Sequence, residues 1–202
     1  MKPITRKCLH CKLRFEPYRP NQVVCSGTCA AHYAALKSKV KAKKEKKEAK
    51  EKLKTRTDHL KDLEKEINKT IRIIDKGHPC ISCRGNKTPQ AGHLHSVKAA
   101  PQLRFHLENI WIQDTYCNVH KSGNQLKYLE GIAAIYGKEY ADYIQYDLIR
   151  TVKELKMTES EIIEVVKIVR NKNKELIALD EYYSDKERVS MRKVLNKYFG
   201  IY

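Results

Sequence analysis

Seven cysteines constrain the fold of this 202-residue chain more than any other feature, because they fall into two closely spaced groups. The first group is Cys8-x-x-Cys11 followed by Cys25-x-x-x-Cys29, with a turn-rich segment between the two pairs. Two such pairs can supply the four corners of a tetrahedral zinc site. A segment this small buries little apolar surface, so a metal would supply most of its folding free energy. The spacing predicts a zinc finger over residues 1–36, with a redox dithiol as the alternative.

The second group lies in the middle of the chain and comprises Cys80-x-x-Cys83 and Cys117. A turn at Cys80–Cys83 can present both thiolates to one metal, which predicts a second structural zinc ion. Asp114 stands three residues before Cys117, and zinc accepts a carboxylate oxygen, so Asp114 can complete the ligand set. The alternatives for this fourth ligand are His120 and His78.

The residues between the two groups are typical of helix from position 30 to position 74, with no Pro or Gly. Residues 37–54 are almost entirely Lys, Glu and Ala and cannot pack a core, so they predict a solvated basic helix between two domains. From Leu60 to Ile74, apolar residues recur at spacings of three and four. That stripe predicts docking on the next domain or on a second subunit, and we expect a homodimer.

The charge is strongly one-sided along the chain. Of a formal net charge of +17, an excess of 16 lies in residues 1–125, and residues 126–202 are nearly neutral. A concentrated positive charge attracts a polyanion, which predicts nucleic acid as the partner; the alternative is a solubilising charge on an ordinary domain. The candidate DNA-binding residues are Lys39, Lys41, Lys43, Lys44, Lys46, Lys47, Arg84, Lys87, Lys98, Arg104 and Lys121.

Apolar segments are short throughout the sequence. The first residues contain no apolar run typical of a signal peptide, and no window approaches the roughly 18 apolar residues of a membrane span. We therefore expect a cytosolic protein that contacts no membrane. In that compartment the cysteines stay reduced and can bind metal.

The stretch between the central cysteines carries histidine and asparagine in a suggestive order. Residues 90–96 predict a strand, and its period of two would place His93 and His95 on the same face. One imidazole could then act as a general base and the other as a metal ligand. Asn109 precedes a second apolar strand, and Asn118 falls at the start of a predicted short helix.

The ordered set of motifs resembles the NinG/Rap family of lambdoid phage recombination proteins, and more broadly the HNH, or ββα-metal, endonucleases. The resemblance covers about residues 1–125. It rests on Pro79-Cys80-Ile81-Ser82-Cys83, Ala91-Gly92-His93, Ala99-Ala100-Pro101-Gln102-Leu103-Arg104-Phe105, Asn109-Ile110 and Cys117-Asn118-x-His120-Lys121-Ser122-Gly123-Asn124.

The resemblance implies catalytic roles for three residues. His93 matches the general base, whose ordinary pKa suits proton abstraction near neutral pH. Asn109 matches the residue that orients this loop or the base. Asn118 matches a ligand of the catalytic Mg²⁺ or Mn²⁺ ion, which neutralises the leaving oxygen of a phosphodiester.

Gly92 departs from the pattern of the broader endonuclease family. Many of those enzymes carry Asp or His immediately before the catalytic histidine, where this chain has Gly92. We expect His95 to supply the missing metal ligand, with His120 as the second candidate. Asp114 is a second departure, since relatives have a cysteine there.

The fold class that follows is α+β and mostly helical. We expect the N-terminal finger at 1–36, the long basic helix at 37–76, a zinc-stabilised HNH-like, treble-clef core at 77–125 and a C-terminal helical region at 126–202. Capping boxes at Thr158–Glu161 and Ser184–Glu187 predict two helix starts in the last region.

The combined function we expect is a metal-dependent, structure-selective endonuclease of phage recombination. The resemblance implies branched DNA, such as a Holliday junction, as the substrate, and the cytoplasm of the phage-infected or prophage-carrying host as the location. The alternatives are a non-catalytic zinc-containing DNA-binding recombination protein and a sequence-specific HNH endonuclease.

Overall fold

The chain divides into two units at the boundary between Lys54 and Thr55. The structure is a computed structural model that describes residues 5–153 and 156–201. Both units are mostly helical, and each contains one small two-stranded antiparallel sheet. The predicted class, α+β with a majority of helix, is confirmed.

The first unit consists of a short hairpin and one long helix. Strand β1 (Arg6–Lys7) pairs with β2 (Arg14–Phe15), and helix α1 spans Gly27–Lys52. The side chain of Ser26 caps α1 by accepting a hydrogen bond from the backbone N–H of Cys29 at 3.2 Å. This cap positions the second cysteine pair at the helix start.

The predicted continuous helix is interrupted at the unit boundary. Helix α2 spans Arg56–Ile74 and begins at a capping box that the sequence analysis missed. The Thr55 hydroxyl accepts a hydrogen bond from the backbone N–H of Asp58 at 3.3 Å, and the Asp58 carboxylate accepts one from the backbone N–H of Thr55 at 3.1 Å. Because the capping residue has extended backbone angles, α1 cannot continue into α2.

The second unit combines one hairpin with a set of helices. Strands β3 (Pro89–His93) and β4 (Ile110–Asp114) pair so that Pro89 faces Asp114 and His93 faces Ile110. A π-helical turn follows directly after β4 at Tyr116–His120. The later helices are α3 (Gln125–Tyr136), α4 (Lys138–Asp142), α5 (Leu148–Thr151), α6 (Glu159–Leu179) and α7 (Asp185–Tyr198).

The apolar stripe of α2 is buried inside the second unit. Its members pack against α6, α7 and β4 in one hydrophobic cluster, and four of them are fully buried: Leu63, Ile67, Ile71 and Ile74. Of the two predicted uses of this stripe, docking on the same chain is confirmed. These side chains cannot also form a subunit interface.

The segments predicted as a separate core and a C-terminal region share their hydrophobic clusters. Residues of β4 pack with α6 and α7 on one side, and Trp111 packs with Tyr128 and Ile132 of α3 on the other. Gly131 lets α3 approach the Cys80–Cys83 turn closely, since a Cβ there would lie 1.8 Å from the carbonyl oxygen of Ile81. The predicted boundary at 125/126 therefore crosses one continuous fold.

A buried carboxylate joins three elements of this unit. Asp75, at the end of α2, accepts a hydrogen bond from the backbone N–H of Ile112 in β4 at 2.8 Å. It also accepts from Arg188 at 2.9 Å and Arg192 at 2.7 Å, both on α7 and both almost fully buried. Burial alone would raise the pKa of Asp75, but the two guanidinium groups hold it below its usual value. Arg192 in turn lies 3.6 Å from the centre of the Trp111 ring.

Both predicted capping boxes are confirmed at the starts of α6 and α7. Hydrogen bonds from Thr158 lower the pKa of Glu161, and hydrogen bonds from Ser184 lower that of Glu187.

Within residues 5–153 and 156–201, no helix combines the length and apolar character needed to cross a membrane.

We expect Asp75→Asn to destabilise the second unit by about 3–5 kcal/mol, because it removes the carboxylate that pairs with the buried Arg192 and leaves Arg188 with only the exposed Asp185. Chemical denaturation followed by the fluorescence of Trp111, the one tryptophan of the chain, measures this directly. The matched control is Asp180→Asn, which removes an exposed partner of Lys76 and should cost less than about 1 kcal/mol. Equal effects of the two changes would contradict the proposed importance of Asp75.

His106 provides a pH-dependent contribution to stability. Burial lowers its pKa to about 4, and the side-chain N–H of Asn196, 3.2 Å away, requires an unprotonated ring nitrogen. The contribution of His106 to the free energy of unfolding should therefore be complete above about pH 6.5, the pKa of an unfolded histidine. It should fall by up to about 3 kcal/mol as the pH drops to 4. Denaturation of wild type and His106→Gln at pH 7 and pH 4.5 tests this, since the glutamine variant should lack this part of the pH dependence.

Candidate functional site

The first cysteine cluster has the geometry of a tetrahedral thiolate site. The Sγ atoms of Cys8, Cys11, Cys25 and Cys29 all lie within 4.8 Å of one another. The Cys11–Cys25 and Cys25–Cys29 sulfur distances are 3.6 Å and 3.5 Å. Four thiolates around one zinc ion lie about 3.8 Å apart, so this donor set fits zinc.

Ionisation of these thiols is strongly unequal when no cation balances them. Burial raises the pKa of Cys8, but hydrogen bonds from neighbouring backbone N–H groups lower it to about 6. Hydrogen bonding with Cys29 and Cys11 raises the pKa of Cys25 to about 12. A divalent cation would supply the charge that lets all the sulfurs ionise together.

The two Cys-x-x-Cys turns have the same backbone structure. In each, the N–H of the first cysteine donates to the carbonyl five residues on at 2.8 Å, and its own carbonyl accepts from the N–H four residues on. Lys12 and Arg84 occupy equivalent left-handed positions, with φ of 64° and 60°. The second turn therefore presents Cys80 and Cys83 as the first presents Cys8 and Cys11.

The core cluster contains three sulfurs. The Sγ atoms of Cys80, Cys83 and Cys117 lie within 4.8 Å of one another. The side-chain amide of Asn124 donates a hydrogen bond to Cys117 at 3.6 Å. This trio also fits zinc, which binds three thiolates and one further ligand.

Asp114 is engaged elsewhere and is not grouped with these sulfurs. Its carboxylate accepts backbone hydrogen bonds from Tyr116 at 3.0 Å, Lys87 at 3.1 Å and Thr88 at 3.2 Å. These bonds lower its pKa, that from Tyr116 having the largest effect. The structure thus gives Asp114 a role in joining β4 to the loop before β3, which differs from the predicted role as a zinc ligand.

The two alternative ligands also lie outside the group of three sulfurs. His78 is bonded through Nε2 to the carbonyl of Tyr183 at 2.7 Å and stacks on Tyr182. His120 is exposed and packs on Tyr116, with 5.8 Å between ring centres. Among the described residues, no histidine or carboxylate therefore joins the core cluster as a fourth protein ligand.

His93 is the last residue of β3, and its tautomer is fixed. Its Nε2 lies 3.0 Å from the carbonyl oxygen of Arg104. A carbonyl can only accept, so Nε2 carries the hydrogen and Nδ1 carries the lone pair. Burial lowers the pKa of His93, although the bond to Arg104 and the nearby Glu64 carboxylate act against this shift. The ring is therefore neutral near pH 7, with Nδ1 able to accept a proton.

His95 does not share a strand face with His93, because β3 ends at His93 and is shorter than predicted. The chain bends after His93, and His95 Nε2 bonds instead to the carbonyl of Ile144 at 3.1 Å. The strand alternation that would place the two imidazoles on one face therefore ends before His95.

Asn109 is fully buried and holds the loop after β3. Its side-chain oxygen accepts from the backbone N–H of His95 at 2.8 Å, and its amide donates to the carbonyls of His95 at 3.0 Å and Leu103 at 3.2 Å. The position agrees with an orienting role for Asn109 and places it out of reach of a substrate phosphate.

Asn118 lies on the π-helical turn and contacts the opposite face of β3 from His93. Its amide donates to the side-chain oxygen of Gln90 at 3.0 Å. Because strand residues alternate between faces, Gln90 and Gly92 point to one side and His93 to the other. The hairpin brings Asn118 and His93 to neighbouring elements, but none of the contacts described joins them.

Gln113 occupies the space that a side chain at position 92 would need. A Cβ on Gly92 would lie 2.0 Å from Gln113 Oε1. The Gln113 amide donates to Ser82 Oγ and to the carbonyl of Gly123, both at 2.7 Å. Only glycine fits at 92 while Gln113 holds this bridge. The sequence signal was a polar residue at the end of an apolar strand, and the sequence analysis did not use it.

The candidate DNA-binding residues are mostly exposed. The six candidate lysines on α1 are all exposed, and two of them pair with glutamates one turn on, Lys41–Glu45 and Lys44–Glu48, each at 3.8 Å. Arg104 is different, because it forms an ion pair with Glu64 at 2.7 Å. Glu64 lies among the other charged residues of α2, and no nearby sequence signal singles it out as a partner of Arg104. The other exposed candidates are Arg84, Lys87, Lys98 and Lys121.

These features define a class: a small basic protein with two cysteine clusters that could hold zinc, one at the start of the long helix α1 and one in a strand–strand–helical-turn core. A family model described as Bacteriophage Lambda NinG protein matches residues 1–178. The chain therefore belongs to the NinG family of bacteriophage proteins.

Individual relatives agree with this assignment. Protein ninG of Escherichia phage lambda is 37% identical over 121 residues, which cover 57% of this chain and 59% of that protein. Protein ninG of Enterobacteria phage H19B is 36% identical over 197 residues, covering 86% of this chain and 98% of that protein. The chain thus spans about three fifths of the lambda relative and nearly all of the H19B relative. No solved structure matches the chain.

We expect each cysteine cluster to hold one zinc ion. Cys25→Ser and Cys117→Ser should each remove one zinc per chain, because each takes away a thiolate that no neighbouring ligand replaces. Asp114→Asn should leave the zinc content unchanged, since its carboxylate is used by backbone N–H groups. Elemental analysis of the purified proteins measures the content, and a Cys117→Ser variant with unchanged zinc would rule out the core site.

Proposed function

We propose that this protein is a metal-dependent, structure-selective endonuclease that cuts branched DNA, such as a Holliday junction, during phage recombination. The observation that carries the proposal is the state of His93. A neutral imidazole with its lone pair fixed on Nδ1, placed at the end of β3, is suited to activate water.

The elements around His93 follow the order implied by the family resemblance. Strand β3 is followed by the buried Asn109, then by β4, and then by the turn that carries Asn118. The Cys80–Cys83–Cys117 cluster closes the other end of this hairpin. Rigid support of this kind keeps a catalytic residue in position.

A catalytic divalent cation, Mg²⁺ or Mn²⁺, is part of the proposal. Asn118 would hold it through its side-chain oxygen, since its amide is bonded to Gln90. His120 is the other candidate ligand on the same turn, while the Nε2 of His95 is already bonded to a backbone carbonyl. When bound, the cation would neutralise the charge that develops on the leaving oxygen.

The positive charge of the first unit, which includes α1, supports DNA binding. Exposed lysines on a solvated helix can track phosphates without reading sequence, which suits selection by shape. The branched substrate, the homodimer and the host cytoplasm belong to the proposal through the family resemblance. The buried α2 stripe offers no dimer interface, so a dimer would need another surface.

A second candidate function is a non-catalytic DNA-binding recombination protein with two structural zinc ions. Two observations favour it: His93 and Asn118 face opposite sides of β3, and Gly92 leaves no ligand before His93. The third candidate from the sequence, a sequence-specific endonuclease, gains no support from the structure.

His93→Gln tests the proposed base. Glutamine can still donate to the Arg104 carbonyl but cannot act as a base near neutral pH, so we expect cleavage of a four-way junction to fall by at least roughly a hundredfold. Junction binding and the unfolding midpoint should change little. The measurement is single-turnover cleavage of labelled junction and linear duplex in Mg²⁺ or Mn²⁺, with EDTA as the blank.

Two results would contradict the proposal. Cleavage by His93→Gln at the wild-type rate would exclude His93 as the base. Failure of the wild type to cut any DNA with either cation, combined with tight binding, would favour the DNA-binding alternative.

A further inference from the structure

A cavity of about 120 Å³ opens between α2 and the loop that follows β3. Its walls are apolar at Leu60, Val97 and Phe105, and the side chains of Arg56 and Arg104 line its edge. The volume is well below the roughly 300–1,000 Å³ of pockets for drug-sized ligands, so it accepts one small ring.

The cavity lies next to the proposed catalytic base. The side chain of Arg104 lines the cavity, while its backbone carbonyl is the oxygen bonded to His93 Nε2 at 3.0 Å. A group bound in the cavity would therefore contact Arg104, the residue whose carbonyl fixes the imidazole of His93.

Arg104 is held in place on two sides. Its Nε and one terminal nitrogen donate to Glu64 at 3.1 Å and 2.7 Å, and its Cζ lies 5.2 Å from the centre of the Phe105 ring. A guanidinium fixed in this way is a planar surface on which a base can stack. Its ion pair with Glu64 makes it a poor site for an additional phosphate.

Arg56 is suited to the phosphate instead. It is the first residue of α2, it is exposed, and one of its terminal nitrogens donates to the carbonyl of Met157 at 3.1 Å. A guanidinium has five N–H donors, so this bond leaves others for an anion. The cavity thus combines an apolar pocket, a fixed planar cation and a phosphate donor.

We propose that this cavity binds one unstacked nucleobase of the DNA, with the adjoining phosphate on Arg56. Apolar walls favour a base over a phosphate alone, and the two guanidinium groups favour a nucleotide over an apolar side chain. The inference rests on the proposed function, since a branch point exposes unstacked bases that a continuous duplex does not. It would give the protein a way to recognise branched DNA.

Filling the cavity tests this directly. We expect Val97→Phe to weaken binding to a four-way junction by about tenfold, a typical loss for one stacked base, and to change duplex binding by less than about twofold. The matched control is Val194→Phe on α7, where the valine is exposed and does not line this cavity. Arg56→Gln should remove one phosphate contact, so the slope of log Kd for the junction against log salt concentration should fall by about one. All Kd values are measured in EDTA, so that cleavage cannot interfere.

A second measurement needs no variant. A junction with 5-iododeoxyuridine at the branch point, irradiated on the wild-type protein, should crosslink to the peptide that contains Val97–Phe105. Crosslinks confined to other peptides would overturn the proposal, and so would an unchanged junction Kd for Val97→Phe with its unfolding midpoint preserved. A wild type that binds junction and duplex equally would overturn it as well.

The result is separable from the nuclease proposal. If the wild type cuts junctions but neither the Kd nor the crosslink involves the cavity, the nuclease proposal stands and the base pocket is wrong. If the wild type cuts nothing but the Kd and the crosslink both point to the cavity, the base pocket is supported and the nuclease proposal fails.

Discussion

The carboxylate of Asp75 is the interaction on which the second unit depends. It receives a backbone N–H from β4 and two guanidinium groups from α7, so the end of α2, the central hairpin and the last helix meet at one buried charge. Such a network is favourable only when every partner is present. Its position also matters for the site, since Arg192 lies on Trp111 and thereby fixes the strand that pairs with His93 and precedes Cys117.

The sequence predicted those features that short-range spacing encodes. The close cysteine pairs, the α2 stripe and the capping boxes at Thr158 and Ser184 each depend on residues a few positions apart, and local geometry determines them. Features built from distant residues were missed. The Asp75–Arg188 pair spans 113 positions, and nothing near either residue indicates the other. The break at Thr55 was missed for another reason: its capping box has Asp58 at the position where Glu or Gln is usual.

The candidate site shows the same difference between what neighbouring residues encode and what depends on the rest of the fold. The roles of Cys80, Cys83 and Cys117 in one cluster agree with their spacing. The expectation for His95 depended on a strand that continues to Ser96, and the bend after His93 removes it. Asp114 matched a ligand position by sequence, but its place at the end of β4 makes it an acceptor for three backbone N–H groups. In both cases the position at which a strand ends decides which partners the side chain can reach.

The close fit of Gly92 against Gln113 has a consequence for the way this family can diversify. The two residues occupy one volume, so a side chain can enter at 92 only if the residue at 113 becomes smaller. A smaller residue there would also break the bridge from Ser82 to Gly123, which ties the Cys80–Cys83 turn to the segment after the π-helical turn. The two positions are therefore expected to change together during evolution, and a single substitution at either one passes through a less stable intermediate.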